Sequence, residues 1–330
     1  MKDNVIHMVK AAFHSQFKLA MENRGISANS YFKKVNLPTE ISDPEGQLPL
    51  KPFFQLINIV AIDEDMPDFG SYVAQTTPWH KVSSLGPLIK NSKYLKELLI
   101  NFCEIASSQS SVVEFSLVDN GSFFEFCYSD SPIHKGDIQM ELYRITSMIQ
   151  LVQLATGNEW RPEKIRLNMQ HNPAVNSCPL LTESDISFSQ EDSTISIQSG
   201  LLQLPVHIDI PASVNTIDRG IPEINKEFPN AIRQIIKTYS LNKNISIEEV
   251  ANIADISVRT LQRRLAENNL KFNELHNEAK FMHARERLHD RSLPIKEIAS
   301  TLGYSDTAHF TRAFHKWSGV SPSDYRNSLG

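Results

Sequence analysis

Nowhere in the 330 residues do about 18 uncharged apolar residues follow one another, so no membrane-spanning helix is expected. The opening segment, MKDNVIHMVKAAFHSQFK, has one early lysine but no apolar run of signal-peptide length. Cysteine is scarce. Cys103, Cys127 and Cys178 are odd in number, widely spaced and outside any Cys-x-x-Cys pair. This pattern excludes a disulfide scaffold and predicts free thiols in a reducing, cytoplasmic setting. Zinc-ligand spacing, a phosphate-binding glycine loop and a nucleophile elbow are all missing. No metal, cofactor or catalytic residue is therefore expected, and the chain reads as a non-enzyme.

Charge of one sign is also lacking overall. The formal net charge is −5, which by itself argues against a nucleic-acid partner. The balance changes along the chain. Residues 230–330 hold 15 Lys/Arg against 11 Asp/Glu, a net of +4, which leaves −9 on the rest. A basic tail on an acidic body points to one part that meets phosphate and one that does not.

Hydrophobic residues make up 41% and charged residues 22%, enough apolar material for more than one core. Residues 1 to about 80 read as mainly helical, broken by LPTEISDPEGQLPLKP. Leu95, Leu98, Leu99 and Phe102 have helical spacing. SVVEFSLVD and SFFEFCYS flank Asn120-Gly121, which predicts a β-hairpin. A long helix over about Ile138–Thr156 follows, then short strands in KIRLNM, ISFS and TISIQ. Residues 211–229 carry Pro211, Gly220, Pro222 and Pro229 and read as a linker. The expected architecture is an α+β N-terminal sensing or dimerisation domain over 1–210, then an all-α domain over 230–330 with two helix-turn-helix units.

The tail repeats itself. VANIADISVRTLQRRL begins at Val250 and IASTLGYSDTAHFTRAF at Ile298. Ala251 and Ser257 match Ala299 and Ser305 at an offset of 48, whereas Leu261, Arg263 and Leu265 match Phe310, Arg312 and Phe314 at 49. The second copy thus gains one residue just after its turn, and a duplicated structural unit is implied. In the first copy Ser246 and Glu249 form a capping box. Asp255-Ile256-Ser257 makes the turn, and Ser257 caps the next helix. Val258, Leu261 and Leu265 form that helix's apolar face, while Arg259, Gln262, Arg263 and Ala266 lie opposite. Arg pairs bidentately with guanine and Gln with adenine, so this face suits a major groove.

In the second copy Ile295, Ile298 and Ala299 support, Gly303 supplies a left-handed turn, and Ser305 is expected to cap the next helix. Phe310, Phe314 and Trp317 point inward, leaving Thr307, Ala308, Thr311, Arg312, His315 and Lys316 for DNA. Ser321, Pro322 and Asp324 start a last helix. A connector helix, about Phe272–His289, presents Phe272, Leu275, Ala279, Met282 and Leu288 on one side. If the two recognition helices enter successive major grooves, they sit about 34 Å apart.

The segment Ile295–Arg326, IKEIASTLGYSDTAHFTRAFHKWSGVSPSDYR, resembles the second DNA-binding unit of the AraC/XylS family of transcription regulators. The resemblance extends over about residues 228–328. The first copy departs at Asp255, where that family has Gly. The PDFG of 67–70, SSLGPLIKNSKYLKELL and KIRLNMQHNPA resemble the branch with an arabinose-binding-type N-terminal domain. The resemblance implies a bacterial regulator of promoter DNA, in contact with RNA polymerase, with a homodimer and a small-molecule effector as further expected partners.

Blander readings stand beside these. Arg259, Gln262 and Arg263 on an isolated helix would be only a solvated face, but the duplication, caps and turns favour DNA. Trp79 before His80 reads as a structural tryptophan beside an exposed histidine. Arg161 reads as a turn anchor, the acidic group Asp63, Glu64, Asp65 and Asp68 as a solvated turn, and Cys127 as a small buried strand residue. An enzyme fused to a DNA-binding tail, such as an alkyl-transfer protein, would need an activated cysteine. A purely dimerising front domain is the other alternative.

Overall fold

A computed structural model describes residues 6–41, 43, 46–79, 92–106, 110, 112–130, 136–206, 227–240 and 245–329. Residues 211–226 of the expected linker, His80, and residues 83–91 of the SSLGPLIKNSKYLKELL segment lie outside them. Two compact units emerge: Met1–Ile6, Gln47–Pro49 and Asn225–Gly330 form one, and His7–Gly46 and Leu50–Ile224 the other. Among the described residues no helix is long and apolar enough to cross a membrane.

The N-terminal unit is α+β. Its helices are α1 (Ala12–Glu22), α2 (Ala28–Lys34), α3 (Lys51–Asp63), α4 (Phe69–Thr76), α5 (Leu95–Ala106) and α6 (Ile138–Thr156). A three-residue strand, β1 (Met8–Lys10), precedes a five-stranded sheet, while the short strand β2 (Gln47–Pro49) groups with the other unit. The sheet contains β3 (Val113–Asp119), β4 (Phe123–Asp130), β5 (Lys164–Arg166), β6 (Asp185–Ser187) and β7 (Ser193–Gln198), in the order β3-β4-β7-β5-β6. The hairpin read from Asn120-Gly121 is present, with Asp119 opposite Phe124 and Gly121 at φ +81°. Only β5 and β6 pair in parallel; the other pairs of this sheet are antiparallel.

Helix α6 is the centre of this unit. Thirteen of its nineteen residues are buried, including Gln139, Glu141, Arg144, Thr146 and Ser147. A buried polar group must find a partner or lose the hydrogen bonds it made to water. Arg144 pairs with Asp130, Thr146 Oγ1 meets Ser71 Oγ at 2.8 Å, and Glu141 accepts from Ser193 Oγ. Asp137 caps α6 by accepting from the Met140 N–H at 3.0 Å.

Three smaller readings resolve here. Trp79 is buried and its Nε1 donates to Tyr143 Oη at 3.0 Å. Arg161 anchors its turn by donating to the Asn158 carbonyl at 2.6 Å. Cys127 is half-buried rather than buried, because it faces the less covered side of β4.

The PDFG segment has a packing explanation. Gln139 accepts from the Gly70 N–H at 2.8 Å and donates to the Pro67 carbonyl at 2.7 Å. That bridge draws α4 so close to α6 that a Cβ on Gly70 would lie 1.9 Å from the Gln139 carbonyl oxygen. Gly70→Ala must force the two helices apart, and overpacking of this kind costs about 1–3 kcal/mol. The denaturation midpoint of the N-terminal unit should fall accordingly; an unchanged midpoint would show that the helices slide at no cost.

Candidate nucleic-acid interface

The C-terminal unit is built from seven helices among its described residues: α7 (Phe228–Tyr239), α8 (Ile247–Ile253), α9 (Val258–Glu267), α10 (Phe272–Leu288), α11 (Ile295–Thr301), α12 (Thr307–Ser318) and α13 (Pro322–Ser328). Pro229 sits in the first turn of α7, where a missing N–H costs nothing. Helices α8 and α9 form one helix-turn-helix, and α11 and α12 the other.

Both turns use the same backbone device. Asp255 holds φ +56° and Gly303 holds φ +77°, so each chain leaves its helix through a left-handed residue. The next N–H then reaches back to the helix, from Ile256 to the Ala251 carbonyl and from Tyr304 to the Ala299 carbonyl, each at 3.0 Å. Glycine takes this conformation without strain, and aspartate is among the few other residues that visit it.

The starts of the two recognition helices differ. Ser257 caps α9 by accepting from the Thr260 N–H at 3.1 Å. Ser305 does not cap α12. Asp306 does, accepting from the His309 N–H at 2.7 Å. The inserted residue of the second copy explains the shift: Asp306 stands at the offset of 49 from Ser257 that the rest of the helix follows, so Ser305 is the extra turn residue. The bond to the His309 N–H holds the Asp306 carboxyl below the usual carboxylate range. The capping box of α8 is present, with Glu249 N–H to Ser246 Oγ at 3.2 Å and Ser246 N–H to Glu249 Oε2 at 2.8 Å. Ser321 caps α13 through the Asp324 N–H at 3.1 Å.

The inward faces form as the spacing requires. Leu261 and Leu265 are buried in α9, with Val258 half-buried. Phe310 and Phe314 are buried in α12, within an apolar cluster that includes Leu288, Ile298, Ala299 and Leu302, and Trp317 packs against it half-buried. The opposite faces are open. Arg259, Gln262, Arg263 and Ala266 are exposed on α9, and Ala308, Arg312, His315 and Lys316 on α12. Thr307 and Thr311 are half-buried, and the Thr311 hydroxyl donates to the Thr307 carbonyl at 2.8 Å.

Sequence reading missed three contacts. Arg263 Nη1 bonds Glu267 Oε1 at 2.6 Å, so its guanidinium is held along the helix. The next residue, Arg264, stacks over the Phe228 ring at 3.9 Å and ties α9 to α7. The connector α10 buries His283 and Ala284, while Met282 is 44% exposed. The expected Met282 position is off the buried stripe because Leu275, Ala279 and Leu288 set a face that passes through 283 and 284. His283 Nε2 meets the Lys237 carbonyl at 2.7 Å, linking α10 to α7. Burial lowers its pKa, opposed by the bond to the Lys237 carbonyl and by Glu286. A buried polar residue inside an amphipathic stripe was the available signal.

The arrangement is two exposed cationic helix faces, each braced on its own core and joined through a half-buried connector. Burial pushes the thiols of Cys103 and Cys178 up to about 12 and that of Cys127 up to about 11, far from the depressed values of reactive cysteines. The acidic turn is occupied by ordinary partners: Lys34 bonds Asp63 at 2.9 Å and Tyr31 donates to Glu64 at 2.6 Å.

Comparison with known proteins agrees with this geometry. Residues 250–328 match the helix-turn-helix domain family, and residues 25–206 match the arabinose-binding domain of AraC transcription regulators, N-terminal. The chain is 36% identical over 330 residues to the HTH-type transcriptional regulator VirS of Mycobacterium tuberculosis, covering 93% of this chain and 92% of that one. An uncharacterized HTH-type transcriptional regulator of Mycobacterium bovis is 39% identical over 77 residues, which is 23% of this chain but only 22% of that relative's length. Among solved structures, transcriptional regulator CdpR from Pseudomonas aeruginosa aligns over 91% of this chain and 96% of its own at 17% identity, with a TM-score of 0.37.

The two cap assignments are separable by experiment. Asp306→Ala should lower the stability of the C-terminal unit, and Ser305→Ala should leave it close to unchanged. Chemical denaturation of both variants checks this, and a loss confined to Ser305→Ala would put the cap back on Ser305.

Proposed function

Because the chain belongs to the AraC family of transcription regulators with an arabinose-binding-type N-terminal domain, we propose that it recognises promoter DNA with α9 and α12 and answers to a small effector held by its N-terminal domain. The observation that carries this reading is the pair of matched, exposed arginines, Arg263 and Arg312, on helices whose opposite faces are buried. The proposed division is sensing and dimerisation over 1–210, a linker over 211–229 and DNA binding over 230–330. It works by binding rather than turnover, in the cytoplasm, with a second copy and RNA polymerase as partners.

Arginine offers a flat fork of donors that matches the two acceptors of guanine. Gln262 matches adenine in the same way, and Arg259, His315 and Lys316 flank these readers with phosphate-directed charge or polarity. The two arginines are not equivalent. Arg263 must release Glu267 before it reads a base. Both members of that pair are more than half exposed, so the release costs at most about 1 kcal/mol, less than the ~1–3 kcal/mol of a good bidentate base contact. Arg312 is therefore the stronger reader and Arg263 the weaker.

Two experiments test this. In a binding selection from randomised sites, Arg312→Ala should lose about 1–3 kcal/mol on the preferred sequence and relax one position. Arg263→Ala should do less, at a position about 10 bp away. A uniform loss on all sequences, with unaltered preferences, would make both arginines phosphate contacts instead. Separately, a chain lacking residues 1–210 should keep DNA affinity and lose its response to the cell's signal; a truncated chain still regulated by that signal would move the sensor elsewhere.

A further inference from the structure

The N-terminal unit contains a pocket of about 60 Å³ walled by aromatic rings, among them Phe17, Phe53, Trp79, Phe102 and Phe115. One water needs about 10–15 Å³ and two to four polar partners. The space is sufficient for water, but among the described residues only Ser110, Tyr143, Arg144 and the Trp79 indole bring polar side-chain groups to the lining. Tyr143 Oη donates to Gln16 Oε1 at 2.8 Å and accepts from Trp79 Nε1 at 3.0 Å. Arg144 pairs with Asp130. A sugar placed here would give up water for each of its hydroxyls against a wall that is mostly apolar.

The rings themselves are arranged to receive another ring. Trp79 stacks on Phe102 with centroids 4.8 Å apart and planes at 14°. Phe115 meets both edge-on, at 5.6 Å from Trp79 and 5.0 Å from Phe102. Offset-stacked and edge-on contacts are the favourable ones between aromatic quadrupoles. An engineered apolar cavity of about 150 Å³ takes benzene, and this pocket is smaller at rest. Met140, unbranched and adaptable, forms part of the wall and is the side chain best able to make room.

We propose that this pocket binds a compact, uncharged molecule with one aromatic ring, and that this is the effector class of the protein. The inference rests on the regulator reading, since it names what the sensing domain senses. It also runs against the sugar that the domain family's description would suggest.

The test uses the full chain and toluene as probe, with L-arabinose as contrast. Toluene should raise the melting temperature of the wild type by a few degrees in a saturable way, because a ligand that binds only the folded state stabilises it by mass action. Ala106→Leu places a larger side chain on the pocket wall and should abolish the shift while the chain remains folded by circular dichroism. Val113→Phe, at another part of the wall, serves the same purpose should Ala106→Leu fail to fold. A toluene shift that persists in the blocked variants, the absence of any toluene shift, or a shift with arabinose alone would overturn the proposal. DNA affinity is measured on the same samples. A chain that binds DNA but ignores toluene sinks only the pocket, whereas one that binds toluene but no DNA sinks the regulator.

Discussion

Two residues with left-handed backbone, Asp255 and Gly303, determine where the recognition helices go. Each ends a supporting helix by turning the chain, and each lets the following N–H close back onto that helix. A helix continuing past this point would carry the recognition residues away from their partners. The turn directs the next segment across the first helix, where Leu261 and Leu265, or Phe310 and Phe314, are buried. Once those positions face inward, the 3.6-residue period places Arg263 and Arg312 on the outside. The cationic surfaces are therefore consequences of the turns and cores, not independent features.

Polar side chains inside the protein follow a related logic in both units. Helix α6 buries Gln139, Glu141 and Arg144, and each is matched to a fixed partner on another element. In the C-terminal unit His283 has the same role, buried and bonded to the Lys237 carbonyl. Removing one member would leave the other buried and unsatisfied, which costs more than the pair contributes. Such pairs fix register: α4 against α6 through Gln139, and α10 against α7 through His283. The aromatic pocket lies beside this network, and Tyr143 and Arg144 contribute to its wall while their polar ends are bonded elsewhere.

The legible parts of the site were those governed by local rules. The offsets of 48 and 49 marked the duplication, and the capping box at Ser246 and Glu249 formed as read. The same offsets contained the answer to the one cap read incorrectly. Matching Ser257 to Ser305 follows the turn's register, whereas the cap belongs to the helix after the insertion and so falls on Asp306. Met282 was misplaced because a stripe of apolar letters gives a buried face only to within about one position, and a histidine was not counted as a core residue.

By itself the sequence determined the double helix-turn-helix, the hairpin at Asn120-Gly121, and the helix at Ile138–Thr156. All of these depend on periodicity, capping and turn chemistry, which act between residues close along the chain. Tertiary structure alone decided that Arg264 is held over Phe228, why Gly70 must be glycine, and that aromatic rings from distant segments line an apolar pocket. Those outcomes depend on distances between residues far apart in the chain, and sequence spacing carries no information about such distances until the elements pack.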